Sequence, residues 1–197
     1  MNLLFNLQEL DCRGCTALTT LPNLPKLQIL DCSFCTSLIS LPELISLQRL
    51  YCTDCTMTSL PNLSNLKELD CSYTTLVNLS KLPNLQELNC CNCTTLAILP
   101  ELPNLQQLQC IRCVALTDLP NLQKLNCSYC NMLTRLPDLS YLKKLSCDNC
   151  IWLKQSYLLA HHAALQIIYW AAWMRLMSVS CPAAELNGCI CCSMFSG

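Results

Sequence analysis

Glycine is nearly absent from this 197-residue chain: Gly14, Gly188 and Gly197 stand alone. That excludes a glycine-rich phosphate-cradling loop. Histidine is almost as scarce, with two residues at 161 and 162, so histidine-based acid–base chemistry is excluded from the first 150 residues. Charged residues make up 13% and the formal net charge is -1, which excludes nucleic-acid binding driven by bulk electrostatics. Met1 to Leu10 has no basic start, long apolar run or small-residue cleavage site, so no secretory signal is expected.

Two residue types are in excess. Leucine supplies 43 residues and cysteine 20. A disulfide scaffold of that cysteine content is normally short and secreted. This chain is long enough to bury an ordinary core, so free thiols in an intracellular, reducing compartment are expected, the cytoplasm or that of a host.

Both excesses are periodic. One cysteine series runs Cys12, Cys32, Cys52, Cys71, Cys90, Cys110, Cys127, Cys147, with spacings of 20, 20, 19, 19, 20, 17 and 20. A leucine stands two residues before each, from Leu10 and Leu30 to Leu145, and another three earlier still. A second cysteine follows three residues later in seven of eight units; Thr74 is the exception. A Leu-Pro pair, as in Leu21-Pro22 and Leu41-Pro42, leads into the next unit. Twenty residues cannot hold a helix pair, which takes more than about 30. They hold one short strand, a turn and an extended return. The strand falls on Leu30-Asp31-Cys32 and its equivalents, with Leu30 and Cys32 inward and Ile29 and Asp31 outward. Leu-Pro favours an extended or polyproline return and opposes helix. Stacked units bury a continuous leucine column that no single unit can bury.

The segment Leu27-Gln28-Ile29-Leu30-Asp31-Cys32-Ser33-Phe34-Cys35-Thr36-Ser37-Leu38 resembles the signature of the leucine-rich repeat family, with one extra residue before the final leucine. The short Leu-Pro unit is similar to the bacterial effector subclass, and cysteine at both inward sites is similar to repeat proteins of giant DNA viruses. The resemblance spans about residues 3–153 and implies an α/β solenoid with a parallel β-sheet on the concave face and extended or polyproline returns on the convex face. The domain of about eight repeats is expected over 1–153; residues 154–197 leave the repeat, and their own composition suggests an apolar C-terminal helix and a Cys-rich tail. A solenoid of this kind has a right-handed path.

Each C-x-x-C pair reads alone as a zinc or redox motif. The repeat offers a simpler account: Cys32 fills an inward strand site and Cys35 the family's Asn/Cys turn site, where free cysteine serves as a small hydrophobe with a weak donor. No histidine or carboxylate recurs with the pairs, and Thr74 would forfeit a ligand. No metal or cofactor is therefore expected. A Cys-rich metal-binding or thiol protein is the alternative.

The outward strand residues form the expected contact surface. One row reads Glu9, Ile29, Arg49, Glu68, Glu87, Gln107, Lys124, Lys144, and the next Asp11, Asp31, Tyr51, Asp70, Asn89, Gln109, Asn126, Ser146. Just beyond come Phe34, Tyr73 and Tyr129. The face is acidic over five repeats and basic over the last two, and its aromatics can anchor a protein. No nucleophile, base and pocket-forming loop occur together, so no enzyme is expected. The reading is a non-catalytic protein–protein interaction scaffold whose partner, including a host protein, binds through Glu9, Asp11, Asp31, Phe34, Arg49, Tyr51, Glu68, Asp70, Tyr73, Glu87, Lys124 and Lys144.

No charged residue occurs from Gln155 to Met174. Twenty residues suits a membrane span, but His161, His162 and Gln166 are costly in hydrocarbon, so a helix capping the last repeat is preferred over a membrane tether. Cys181, Cys189, Cys191 and Cys192 in the tail invite acylation or metal ligation, against the simpler reading of an exposed end. A ubiquitin-ligase domain, which some bacterial effectors carry after such repeats, does not fit in the 44 residues after 153. The start of the chain lacks a separate cap, which would allow end-to-end self-association.

Overall fold

The computed structural model describes residues 4–133 and 140–150. The expected C-terminal helix, the boundary at 153 and the tail cysteines lie outside them.

Eight three-residue strands follow one another: β1 (Glu9–Asp11), β2 (Ile29–Asp31), β3 (Arg49–Tyr51), β4 (Glu68–Asp70), β5 (Glu87–Asn89), β6 (Gln107–Gln109), β7 (Lys124–Asn126) and β8 (Lys144–Ser146). They form a single sheet in chain order. Every pairing is parallel and in register, so Leu10, Leu30, Leu50, Leu69, Leu88, Leu108, Leu125 and Leu145 form one row. This is the expected strand-turn-return solenoid, with each strand one residue earlier than expected, Ile29–Asp31 rather than Leu30 to Cys32, so the inward cysteine directly follows the strand end.

The strands are short because the inward step changes. Buried side chains recur every third residue along the return, at Cys35, Leu38, Leu41, Leu44, Leu47 and Leu50, then after two residues at Cys52. A period of two is the strand alternation, and it is confined to the strand. Backbone bonding between repeats continues past the strand ends. Gln28 O accepts from the N–H groups of Gln48 and Arg49, at 2.8 and 3.0 Å. The Cys32 N–H donates to Tyr51 O at 2.9 Å, and the Phe34 N–H to Thr53 O at 2.8 Å.

The irregular spacings change the return and leave the sheet intact. Cys55 is followed by Met57 after two residues rather than three, and both are buried, which accounts for one 19-residue unit. The unit starting at Cys110 loses a whole Leu-x-x step: Leu119, Leu122 and Leu125 lead directly into Cys127, all buried. Gln107 still pairs with Lys124. Deleting one complete step shortens the path without rotating any inward residue outward.

Side chains also tie the returns together. The amides of Asn65, Asn84 and Asn104 donate to Ile45 O, Ser64 O and Pro83 O of the preceding repeat, at 2.7, 2.9 and 2.7 Å. Ser46 and Ser80 donate likewise to Pro25 O and Pro61 O. Carbonyls that have no strand partner thus find one.

Burial falls off at the first repeat. Leu30 and Leu50 are fully buried, whereas Leu7, Leu10, Cys12, Leu18 and Leu21 are only partly covered, with a coil of the described residues on one side alone. Stability of such a stack is a sum of nearest-neighbour terms. Leu50→Ala should therefore cost about 3 kcal/mol, and Leu10→Ala about 1 kcal/mol, since half-covered surface gives a smaller transfer gain. Urea unfolding of the two variants checks this; equal losses would contradict the stacking account.

Candidate interaction surface

The cysteines are the residues with the most chemistry, and the stack turns them inward. Cys32, Cys35, Cys52, Cys55, Cys71, Cys90, Cys93, Cys110, Cys113, Cys127 and Cys130 are buried free thiols. The turn thiol of each repeat donates to the carbonyl of the preceding repeat's strand cysteine. Cys35 bonds Cys12 O at 3.0 Å, Cys55 bonds Cys32 O at 3.1 Å, and Cys93 bonds Cys71 O at 3.0 Å. Cys113, Cys130 and Cys150 repeat the contact to Cys90 O, Cys110 O and Cys127 O. Thr74, where the thiol is missing, turns its hydroxyl to Cys71 O of its own repeat at 2.7 Å. A small donor that satisfies a buried carbonyl explains why either residue is accepted here. Cys15, in the first of the described repeats, is exposed. Among the described residues no three histidine, cysteine or carboxylate groups converge on a point that could hold a metal ion.

The thiol acidities follow from this packing. The neighbouring turn thiol, followed by burial, pushes Cys32, Cys71, Cys90, Cys110 and Cys127 up, and burial alone leads the rise at Cys52. The hydrogen bond from the strand thiol pulls Cys55 and Cys130 down, and Cys93 to about 7. An unfolded thiol near 9.0 ionises above that pH, while a raised, folded one keeps its proton. The folded state then binds more protons, and stability falls as pH rises. The depressed thiols add stability between about 7 and 9, and that gain is complete above 9. Urea unfolding under a non-thiol reductant should therefore show stability falling steadily above about pH 9; a flat profile would mean the thiols are not held protonated.

On the solvent side, the outward strand residues form rows in the expected order. Glu9, Asp11, Arg49, Glu87, Lys124 and Lys144 are exposed, and Asp31, Tyr51, Glu68 and Asp70 are half-buried. Arg13 lies 2.8 Å from Asp11 and 3.5 Å from Asp31, and Arg49 lies 3.3 Å from Glu68. The Tyr51 hydroxyl donates to Glu68 at 3.1 Å, so it is already engaged within the face. Exposed pairs of this kind are screened by solvent and contribute little to stability. Elsewhere the register sets like charges opposite each other: Glu68 beside Glu87, and Lys124 beside Lys144.

The aspartates do a second job that the sequence reading overlooked. Asp31 and Asp70 accept the N–H of the residue two positions on, Ser33 and Ser72, at 3.1 and 3.0 Å. Asp11 accepts from the Arg13 N–H, and Asn89 and Asn126 from the N–H groups of Cys91 and Ser128. These are Asx turns, in which a short polar side chain holds the backbone as it leaves the strand. The recurring Asp or Asn at the strand end was their visible signal.

Each Asx turn leads into a residue with positive φ. That column comprises Gly14 (φ 69), Phe34 (62), Asp54 (56), Tyr73 (59), Asn92 (60), Arg112 (58), Tyr129 (63) and Asn149 (54). Glycine, asparagine and aspartate tolerate this left-handed conformation. Phe34, Tyr73, Arg112 and Tyr129 do not, and each costs about 1 kcal/mol there. The strain is not repaid by core burial, because Phe34 is 51% exposed, Tyr73 60% and Tyr129 40%. The Arg112 guanidinium stacks on the Tyr129 ring, 5.4 Å from its centroid. Sequence reasoning placed these side chains beside the strand without detecting the strain.

No family model matches the chain, and no curated protein does. Among solved structures, the leucine-rich repeat domain of the type III effector XCV3220 (XopL) is similar, with a TM-score of 0.55 and 26% identity over 76% of this chain and 73% of that one. The chain accordingly has the fold of a leucine-rich repeat solenoid. Among the described residues no helix is long and apolar enough to cross a membrane.

Replacing Tyr73 by asparagine removes the left-handed penalty without adding backbone freedom. Tyr73→Asn should leave stability unchanged or raise it by up to about 1 kcal/mol, read from urea unfolding. A loss above about 1 kcal/mol would show that the ring supports the fold.

Proposed function

We propose that this chain is a non-catalytic protein-interaction scaffold that binds a partner protein on the solvent face and turn edge of its sheet. The observation that carries the reading is the set of bulky, exposed side chains in left-handed backbone at Phe34, Tyr73, Arg112 and Tyr129. Strain of this kind is held by a rigid surrounding structure and clusters at ligand-binding sites. The in-register like charges add support. Glu68 beside Glu87 and Lys124 beside Lys144 each cost a little in the free protein, and an oppositely charged partner relieves that cost.

Aromatic and arginine side chains are the usual anchors of such contacts, with Glu9, Asp11, Asp31, Arg49, Glu68, Asp70, Glu87, Lys124 and Lys144 as the polar surround. Tyr51, tied to Glu68, supports the platform more than it anchors. The likeness to an effector's repeat domain favours a host protein as the partner and the cytoplasm as the place of encounter.

The test is selection from a random peptide display library on the reduced full chain. Selected binders should lose at least about tenfold in affinity, about 1.4 kcal/mol, against a Phe34→Asn, Tyr73→Asn, Tyr129→Asn triple variant. They should be indifferent to Ile39→Ser, Ile45→Ser, Ile98→Ser, which changes exposed residues of the returns. The reverse pattern would move the interaction surface to the returns and overturn this assignment.

A further inference from the structure

We propose that the turn edge of the sheet docks a proline-rich segment of the partner in polyproline II conformation, lying along the repeat axis. The inference rests on reading this face as the partner-binding surface. It adds the class of ligand.

Spacing makes the case. Strained bulky residues stand in the second, fourth and sixth repeats, at Phe34, Tyr73 and Arg112, and Tyr129 follows in the seventh as the ring on which Arg112 stacks. The third and fifth repeats carry the tolerant Asp54 and Asn92. Neighbouring strands lie about 4.8 Å apart, so the anchors recur about every 9.6 Å. A polyproline II helix has three residues per turn and rises about 3.1 Å per residue, so one of its edges recurs about every 9.3 Å. Positions i, i+3 and i+6 of such a ligand therefore meet Phe34, Tyr73 and the Arg112–Tyr129 pair in turn. A strand repeats its face about every 6.7 Å and an α-helix about every 5.4 Å. Neither matches the anchors.

Hydrogen bonding points the same way. The backbone N–H groups of the turn column are already used between repeats: Phe34 to Thr53 O, Tyr73 to Cys91 O, Arg112 to Ser128 O and Tyr129 to Asp148 O, all at 2.8 or 2.9 Å. A ligand that needs to extend a β-ladder finds no free donor there. A polyproline II ligand needs none, because it docks by ring packing, and its solvated carbonyls can accept from the Arg112 guanidinium and the Tyr73 hydroxyl. The ligand is also pre-ordered, which lowers the entropy lost on binding. Exposed Asp54 lies between Phe34 and Tyr73 in the same column, so a basic residue is expected between prolines at that end.

The test is calorimetric titration of the reduced full chain with a blocked peptide of about 12 residues built of Pro-Pro-Arg triplets. The control is a Gly-Ser-Arg peptide of equal length and charge. The proline peptide should bind saturably and at least about tenfold tighter than the control. The Phe34→Asn, Tyr73→Asn, Tyr129→Asn variant should lose at least about tenfold, and Asp54→Asn, which removes the charge and still tolerates the left-handed backbone, should weaken binding while leaving unfolding in urea unchanged. Equal affinity for both peptides would reduce the contact to charge attraction and overturn the proposal, as would no binding or full binding to the triple variant. If library selection yields face-dependent binders without prolines at three-residue spacing, this inference falls while the wider interaction reading stands. If selection yields no face-dependent binders, both fall.

Discussion

Each repeat must present the same inward row at the same height to the next, and the rest of the molecule depends on that constraint. A coil of about 20 residues cannot bury its leucines against itself. It buries them only against copies on either side, so the strand leucines line up from Leu10 to Leu145. The same stacking lets backbone groups pair between repeats at the strand, the turn and the return. The tolerated length changes respect it. One residue is lost at the Cys55–Met57 step and one whole Leu-x-x step between Leu119 and Leu125, and in both places the strand register is kept.

The parts legible in the sequence were those set by this constraint. Leucine and cysteine at fixed spacing located every strand and its inward side chains, because burial tolerates few residue types and repetition exposes which. The outward rows were legible for the same reason, since position in the repeat determines the face. The turn column was not. Its members range from Gly14 and Asn92 to Phe34 and Arg112, and bulky residues signal strand or core when read by propensity. Only the conformation reveals that their placement is strained. The aspartates were read for their charge, whereas Asp31 and Asp70 also hold the turn through Ser33 and Ser72.

The thiols show how one position can look like chemistry and be packing. A C-x-x-C pair suggests two sulfurs acting together, yet the sulfur contact at Cys90 is with the next repeat: Cys113 Sγ lies 3.9 Å from Cys90 Sγ. The Cys113 thiol also donates to the Cys90 carbonyl, and the neighbouring Cys113 thiol, followed by burial, keeps the Cys90 thiol protonated. A metal ligand or redox nucleophile needs a thiolate and access. The environment around Cys90 supplies neither: its side chain is fully buried and its thiol is pushed up.

The division of labour between the two sides of the sheet follows from these pieces. Among the described residues the inward leucine and cysteine rows admit leucine, cysteine or, once each, methionine (Met57) and threonine (Thr74), because a change of volume disturbs two neighbours at once. Outward positions are released from packing, but the turn column is not released from backbone geometry. Gly, Asn or Asp would serve the fold there in every repeat, and four repeats use them. The other four carry Phe34, Tyr73, Arg112 and Tyr129 against the local preference. A rigid ladder can hold such residues because the N–H on each is fixed by the next repeat, and the strain is spread over a long stack. The scaffold's regularity is therefore what permits a locally unfavourable, outward-facing edge.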